Sequence, residues 1–104
     1  MDTLEIKKDA TKRAGGHKHH GITGVVASGN LEVLIERVLE GNRCEITIKT
    51  PVTGFDEVWR AVMDDFIERY SPGGLRISVN DGGARPDTVS LRLAQGVRLM
   101  EATE

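Results

Sequence analysis

Alternating apolar and polar residues predict four β-strands. Residues 44–49 alternate most regularly, and residues 75–80 repeat the pattern after the middle of the chain. Residues 31–38 alternate at first and then become apolar on both sides, while residues 22–27 form a short, β-branched apolar run. Between these last two segments lies Ser-Gly-Asn at 28–30, whose Gly-Asn pair predicts a two-residue hairpin turn with Ser28 at its first corner.

Helical spacing predicts two helices in the second half of the chain. Within residues 53–70 the apolar positions share one face: Phe55, Val58, Trp59, Val62, Phe66, Ile67 and Tyr70. Thr53 and Asp56 have the spacing of a capping box at the start of this helix. The segment after Pro86 fits a helix, although residues 89–93 also alternate like a strand; its length and its Arg- and Glu-rich end favour the helix.

The predicted order of elements is β-β-β-α-β-α. It indicates an α+β domain with an antiparallel sheet of about four strands and two helices packed on one face. Residues 1–21 are predicted to be a flexible N-terminal arm, because residues 7–21 are polar, are interrupted by glycines and offer little to bury. The folded domain is then expected to span residues 22–104.

Composition limits the classes of function. The 104 residues suit one domain, and 14 Lys+Arg against 16 Asp+Glu give a net charge of -2, which argues against a nucleic-acid partner. No apolar run approaches the ~20 residues needed to cross a bilayer, so a membrane partner is not expected. The N-terminus lacks the apolar region of a signal peptide and there is one cysteine, which together favour the cytoplasm.

Histidine and cysteine side chains offer two candidate chemistries. His17, His19 and His20 could bind a divalent metal, but no carboxylate or thiol in the polar segment is placed to complete a site, and no metal is predicted. Cys44 alternates with isoleucines and has no neighbouring base, so it is predicted to be a small buried residue rather than a nucleophile.

Ser28, taken alone, is a turn residue. No Gly-x-Ser-x-Gly motif surrounds it, and the sequence places no histidine or aspartate to activate its hydroxyl. The Asp-Gly-Gly segment at 81–83 matches neither phosphate-loop pattern and is predicted to be a plain turn.

Two blocks of sequence carry a family resemblance. Residues 25–36 read VVASGNLEVLIE, and residues 75–96 read LRISVNDGGARPDTVSLRLAQG. They resemble the prosthetic-group attachment segment and the C-terminal half of the malonate decarboxylase acyl carrier family, the delta subunits, and the match covers residues 22–100. The acyl carrier (gamma) subunits of citrate lyase have a similar Ser-Gly-Asp turn. Asn30 and the Gly-Gly-Ala-Arg-Pro segment favour the malonate family.

The resemblance implies a specific role for the turn. Ser28 would carry a covalent 2'-(5''-phosphoribosyl)-3'-dephospho-CoA group through a phosphodiester bond, and Gly29 and Asn30 would support the attachment turn. A malonyl thioester on that group would be decarboxylated to an acetyl thioester by other subunits, so the chain itself would be non-catalytic. Its partners would be the acyl-carrier transferase and decarboxylase subunits, a malonyl transferase and a prosthetic-group transferase.

Two other functions stay open on the residues alone. The chain could be the acyl carrier subunit of citrate lyase, since physical reasoning does not separate malonate from citrate. It could also be a small α+β protein-interaction domain without a prosthetic group, in which Ser28 only forms a turn.

Overall fold

A computed structural model describes residues 2–102. Met1 and residues 103–104, which the predicted arm and domain include, lie outside the described residues. The elements are, in chain order, β1 (Asp2–Asp9), β2 (His20–Gly24), β3 (Leu31–Arg37), β4 (Arg43–Thr50), α1 (Asp56–Tyr70), β5 (Leu75–Asp81) and α2 (Pro86–Glu101). The predicted α+β class is confirmed: residues 2–102 combine one five-stranded, mostly antiparallel sheet with two helices.

The sheet has the strand order β1-β4-β5-β3-β2. Its register places four isoleucines in one row across β1, β4, β5 and β3. Ile6 lies opposite Ile46, Ile46 opposite Ile77, and Ile77 opposite Ile35. All four are buried. Because successive strand residues point to opposite faces, this register gives the sheet one apolar face for the helices and one polar face.

One pair of neighbouring strands, β4 and β5, is parallel. The sequence predicts an antiparallel sheet throughout, and it does not anticipate this pair. Helix α1 connects the two strands. Such a crossover returns the chain to the end of the sheet at which β4 begins, so β5 runs in the same direction as β4.

Both predicted helices are present. Helix α2 contacts β2, β3 and α1, and a Cβ on its Gly96 would lie 2.5 Å from Cδ1 of Ile35, so glycine permits this close approach. The predicted capping box is wrong: Phe55 is the N-cap of α1, and no side chain among residues 2–102 caps this helix. No helix within residues 2–102 is long and apolar enough to cross a membrane.

The N-terminal segment is part of the sheet rather than the predicted arm. Strand β1 pairs with β4 over its whole length, and Leu4 and Ile6 are only 5% and 7% exposed. Farther along, Ala14 donates a backbone hydrogen bond to Gly73 over 2.9 Å. Pairing with the edge of β4 supplies the backbone hydrogen bonds that this polar segment cannot make by itself, which offsets its ordering entropy.

A single arginine side chain secures the residues that join β1 to β2. The guanidinium of Arg37 donates hydrogen bonds to four carbonyl oxygens, those of Ala14, Gly15, Lys18 and Met100, over 2.7–2.9 Å. The planar fork of an arginine suits several acceptors at once. Arg37 therefore ties the N-terminal segment to the end of α2.

Arg37→Met is expected to loosen this segment, because it keeps the aliphatic length and removes all four donors. The free energy of unfolding should fall by about 1–3 kcal/mol, the cost of acceptors left without partners. Amide exchange should accelerate in residues 10–19 and stay slow in β5. Arg76→Met, on the exposed part of β5, is the matched control; equal exchange in the two variants would contradict the assignment.

Candidate attachment site at Ser28

A six-residue loop, residues 25–30, joins β2 to β3 and contains a tight turn. The backbone N–H of Asn30 donates to the carbonyl oxygen of Ala27 over 2.9 Å, so Ser28 and Gly29 are the two central residues. Gly29 has φ +75°, which a type II turn requires at its second central position. Ser28 is exposed at the first central position.

The turn is docked on the loop between β5 and α2. Gly29 donates its N–H to the carbonyl oxygen of Gly82 over 3.0 Å, and the Gly82 N–H donates to the Asn30 carbonyl over 2.8 Å. A Cβ at position 82 would lie 2.1 Å from the carbonyl oxygen of Ala27, so only glycine fits there. None of these bonds uses the Ser28 hydroxyl, and the turn is held without it.

The side chain of Asn30 joins the turn to helix α2. Its Oδ1 accepts hydrogen bonds from the Leu31 N–H over 2.8 Å and from Nε of Arg92 over 3.2 Å. Arg92 also donates to Gln95 over 3.0 Å, which fixes the guanidinium along the helix. A cationic side chain is therefore bound to Asn30, which follows Ser28 by two positions in the chain.

Asp81 organises the loop on which the turn rests. Its carboxylate is only 6% exposed and accepts hydrogen bonds from Oγ1 of Thr50 and from the N–H of Ala84, each over 2.8 Å. These bonds fix both ends of the short segment that contains Gly82. The buried carboxylate thus has a structural task in the loop.

Asp81→Ala is expected to lower the free energy of unfolding by about 1–3 kcal/mol, because it leaves a buried hydroxyl and a backbone N–H without their acceptor. Asp81→Asn keeps the shape and one acceptor oxygen, and the loss should be smaller. Urea unfolding followed by circular dichroism gives both values. An equal free energy of unfolding for Asp81→Ala and for the unmutated chain would contradict this role.

The structure brings residues 28–30 together in one turn, as the sequence predicts, but the predicted two-residue hairpin is wrong. Strand β2 ends at Gly24, which has φ +74°, and the chain then leaves the sheet. Sequence reasoning missed Asp81, Gly82 and Arg92, which hold the turn from the β5–α2 loop and from α2. The paired glycines at 82 and 83 were the available signal, but a pattern of residues does not reveal what a glycine contacts.

The other candidate residues lie away from this turn. Cys44 is buried in β4, and burial together with the charge of Glu45 raises the pKa of its thiol to about 12, so the reactive thiolate is strongly disfavoured. His20 lies in β2, while His17 and His19 precede it. Within residues 2–102, no group of three or more potential ligands is close enough to hold a metal ion.

Comparisons with known proteins agree with one another. The family model "Malonate decarboxylase delta subunit (MdcD)" matches residues 18–100. A malonate decarboxylase acyl carrier protein of Bradyrhizobium diazoefficiens is 63% identical over 94% of this chain and 93% of its own length. One from Xanthomonas campestris is 48% identical over 100% of this chain and 99% of its own.

A solved structure has the same fold. It is a chain in the crystal structure of a Pseudomonas malonate decarboxylase hetero-tetramer in complex with malonate, with a TM-score of 0.84 and 32% sequence identity. The alignment covers 96% of this chain and 99% of that one.

The fold, the exposed turn serine and these relatives define the chain as an acyl carrier protein. It belongs to the malonate decarboxylase delta subunit family. Of the two related families that the sequence resembles, the comparisons thus identify the malonate one.

Proposed function

We propose that this acyl carrier subunit holds 2'-(5''-phosphoribosyl)-3'-dephospho-CoA in a phosphodiester bond to the Ser28 hydroxyl. When bound, the group supplies a thiol on which malonate is held as a thioester, a form whose carbonyl stabilises the charge left by loss of CO2. The chain contributes no acid or base to that reaction. Its task is to present the group to other subunits.

The observation that carries this proposal is the isolation of the Ser28 hydroxyl on a turn that is fixed by other atoms. The turn is held by backbone bonds to Gly82 and by the Asn30 side chain, so modification of the hydroxyl breaks none of them. A Cβ placed on Gly29 would meet no atom of the described residues within 4 Å, which leaves open space beside the serine for a transferase. The residues present therefore fit a covalently attached group.

The electrostatics of the turn also support the proposal. A phosphodiester on Ser28 carries one negative charge, and Arg92 stands on the other side of Asn30. A positive charge held on the same turn favours the phosphodiester by Coulomb attraction. In this proposal the prosthetic-group transferase activates the Ser28 hydroxyl.

The proposed partners follow from this role. The carrier would meet the prosthetic-group transferase once, then a malonyl transferase, and repeatedly the acyl-carrier transferase and decarboxylase subunits, in the cytoplasm. The fold match to a chain of a malonate decarboxylase hetero-tetramer supports assembly with other subunits. A tethered thioester reaches successive sites at high effective concentration, which is the physical advantage of a carrier.

Intact-mass measurement of the chain co-expressed with its transferases tests the proposal. The expected result is a mass increase equal to one phosphoribosyl-dephospho-CoA, located by peptide mapping on the segment that contains Ser28. The serines at 71, 78 and 90 should stay unmodified in the same digest. An unmodified chain, produced beside transferases that load a known carrier, would favour the interaction-domain alternative.

A further inference from the structure

An apolar groove lies between the first turns of the two helices. It has a volume of about 330 Å³, within the usual range for a small-molecule site, and its lining includes Val52, Phe55, Val58, Trp59 and Val89. Two of these residues are aromatic, and one of them is the single tryptophan of the chain.

Three large apolar side chains of this groove are unusually open to solvent. Val52 is 38% exposed, Phe55 is 49% exposed and Val58 is 42% exposed. Phe55 and Val58 belong to the apolar positions that the sequence predicts on the buried face of α1. A cluster of exposed apolar side chains indicates a surface that another group covers.

The groove and the Ser28 turn share one loop. Asp81 and Gly83 line the groove, and Gly82 between them exchanges backbone hydrogen bonds with the turn. A group attached to Ser28 therefore starts beside the loop that forms one wall of the groove.

We propose that this groove binds the adenine ring of the group attached to Ser28, an inference that rests on the proposed function. In that group the 5''-phosphate is joined to the serine, and the ribosyl unit is joined to the 2'-oxygen of the adenosine. Adenine is thus the first large apolar part that follows the attachment point, while the thiol lies at the far end. A flat purine suits the half-exposed ring of Phe55, on which a base can stack, while Trp59, only 7% exposed, lines the groove as a largely buried wall.

The other parts of the loaded group fit the groove less well. A malonyl group carries a free carboxylate, and burying this charge among valines and aromatic rings without a partner is unfavourable. The thiol must also leave the carrier to enter the active sites of other subunits. Binding of the adenine would leave the pantetheine part free to move. It would also reduce the volume that the thiol can reach around the carrier.

Trp59 fluorescence provides the test, because this residue lines the groove and is the single tryptophan. The loaded chain, with the group verified by intact mass, is compared with the unloaded chain. We expect loading to lower Trp59 emission, because a purine in the groove would lie against the wall that this ring forms. Unchanged emission in a fully loaded sample would overturn the adenine proposal and leave the attachment at Ser28 intact.

Nucleotide pyrophosphatase then identifies which part of the group is bound. Cleavage of the diphosphate with water releases phosphopantetheine and leaves the phosphoribosyl-adenosine phosphate on Ser28. The change in Trp59 emission should persist after cleavage. Its disappearance would assign the groove to the pantetheine part and overturn the proposal.

Phe55→Ala is the matching variant, since Phe55 is half exposed and its removal leaves the buried core in place. In the loaded chain, occupancy of the groove should fall about fivefold or more. Nuclear Overhauser contacts between the adenine protons and the Trp59 ring should weaken accordingly. Val38→Ala, an equally exposed apolar residue at the other end of β3, should keep them; absence of such contacts in the unmutated loaded chain would refute the proposal.

Discussion

Ser28→Ala is expected to abolish loading of the carrier completely. The substitution removes the oxygen to which the proposed phosphodiester is joined, and no other atom of the turn can replace it. The intact mass of the variant, co-expressed with the transferases, should equal that of the unmodified polypeptide. Malonate decarboxylation by a complex reconstituted with this variant should fall to the level without carrier.

The fold should not change in this variant, and this separates a lost attachment point from a lost structure. The hydrogen bonds of the turn run between Ala27, Gly29, Asn30 and Gly82, none of which is altered. The free energy of unfolding should stay within about 0.5 kcal/mol, as for other surface substitutions. Ser90→Ala, at an exposed serine of α2, is the matched control and should load fully. A loaded Ser28→Ala chain would place the group elsewhere.

The strands with a complete apolar face are the part of the fold that sequence reasoning predicts best. In β4 the alternation marks Cys44, Ile46 and Ile48, and all three are buried. Such a pattern is local in the sequence and indicates directly which face of the strand is buried. The same holds for β5, where Leu75, Ile77 and Val79 are buried.

Strand β1 was missed because its signal is short and its stabilisation comes from elsewhere in the chain. Leu4 and Ile6 are its buried residues, and the remainder is mainly polar, as is common for a strand at a sheet edge. Its order depends on pairing with β4 and on the contacts that Arg37 makes with the following residues. These partners are distant in sequence, so local pattern and composition give no sign of them.

The candidate site divides in the same way. The Ser-Gly-Asn turn can be predicted because its residue types are those that a turn requires locally. The docking of this turn cannot be predicted, since Gly82 lies more than fifty residues away in the chain. Nothing in the sequence distinguishes Gly82 from its neighbour Gly83. Phe55 shows a related limit: spacing identifies it as apolar, but does not reveal that it stays exposed.

Gly82→Ala is expected to have the second largest effect, because one methyl group is enough to displace the Ser28 turn. The added Cβ would lie 2.1 Å from the carbonyl oxygen of Ala27, so the turn must move and both backbone hydrogen bonds to residue 82 are weakened. The free energy of unfolding should fall by about 2–4 kcal/mol. The transferase must then restore the native turn before it loads the chain, at a cost of about 1.4 kcal/mol or more. The initial rate of loading per folded molecule should therefore fall about tenfold or more.

Gly83→Ala separates this displacement from a general effect on the loop. Gly83 has φ +91°, so alanine is strained there by about 1–2 kcal/mol, but its Cβ would meet no atom of residues 2–102 within 4 Å. This control should therefore lose stability and keep the loading rate of the unmutated chain. Urea unfolding and a mass-spectrometric loading time course measure the two quantities separately. Equal loading rates in the two variants would mean that transferase recognition does not depend on the docked turn, because only Gly82→Ala moves it.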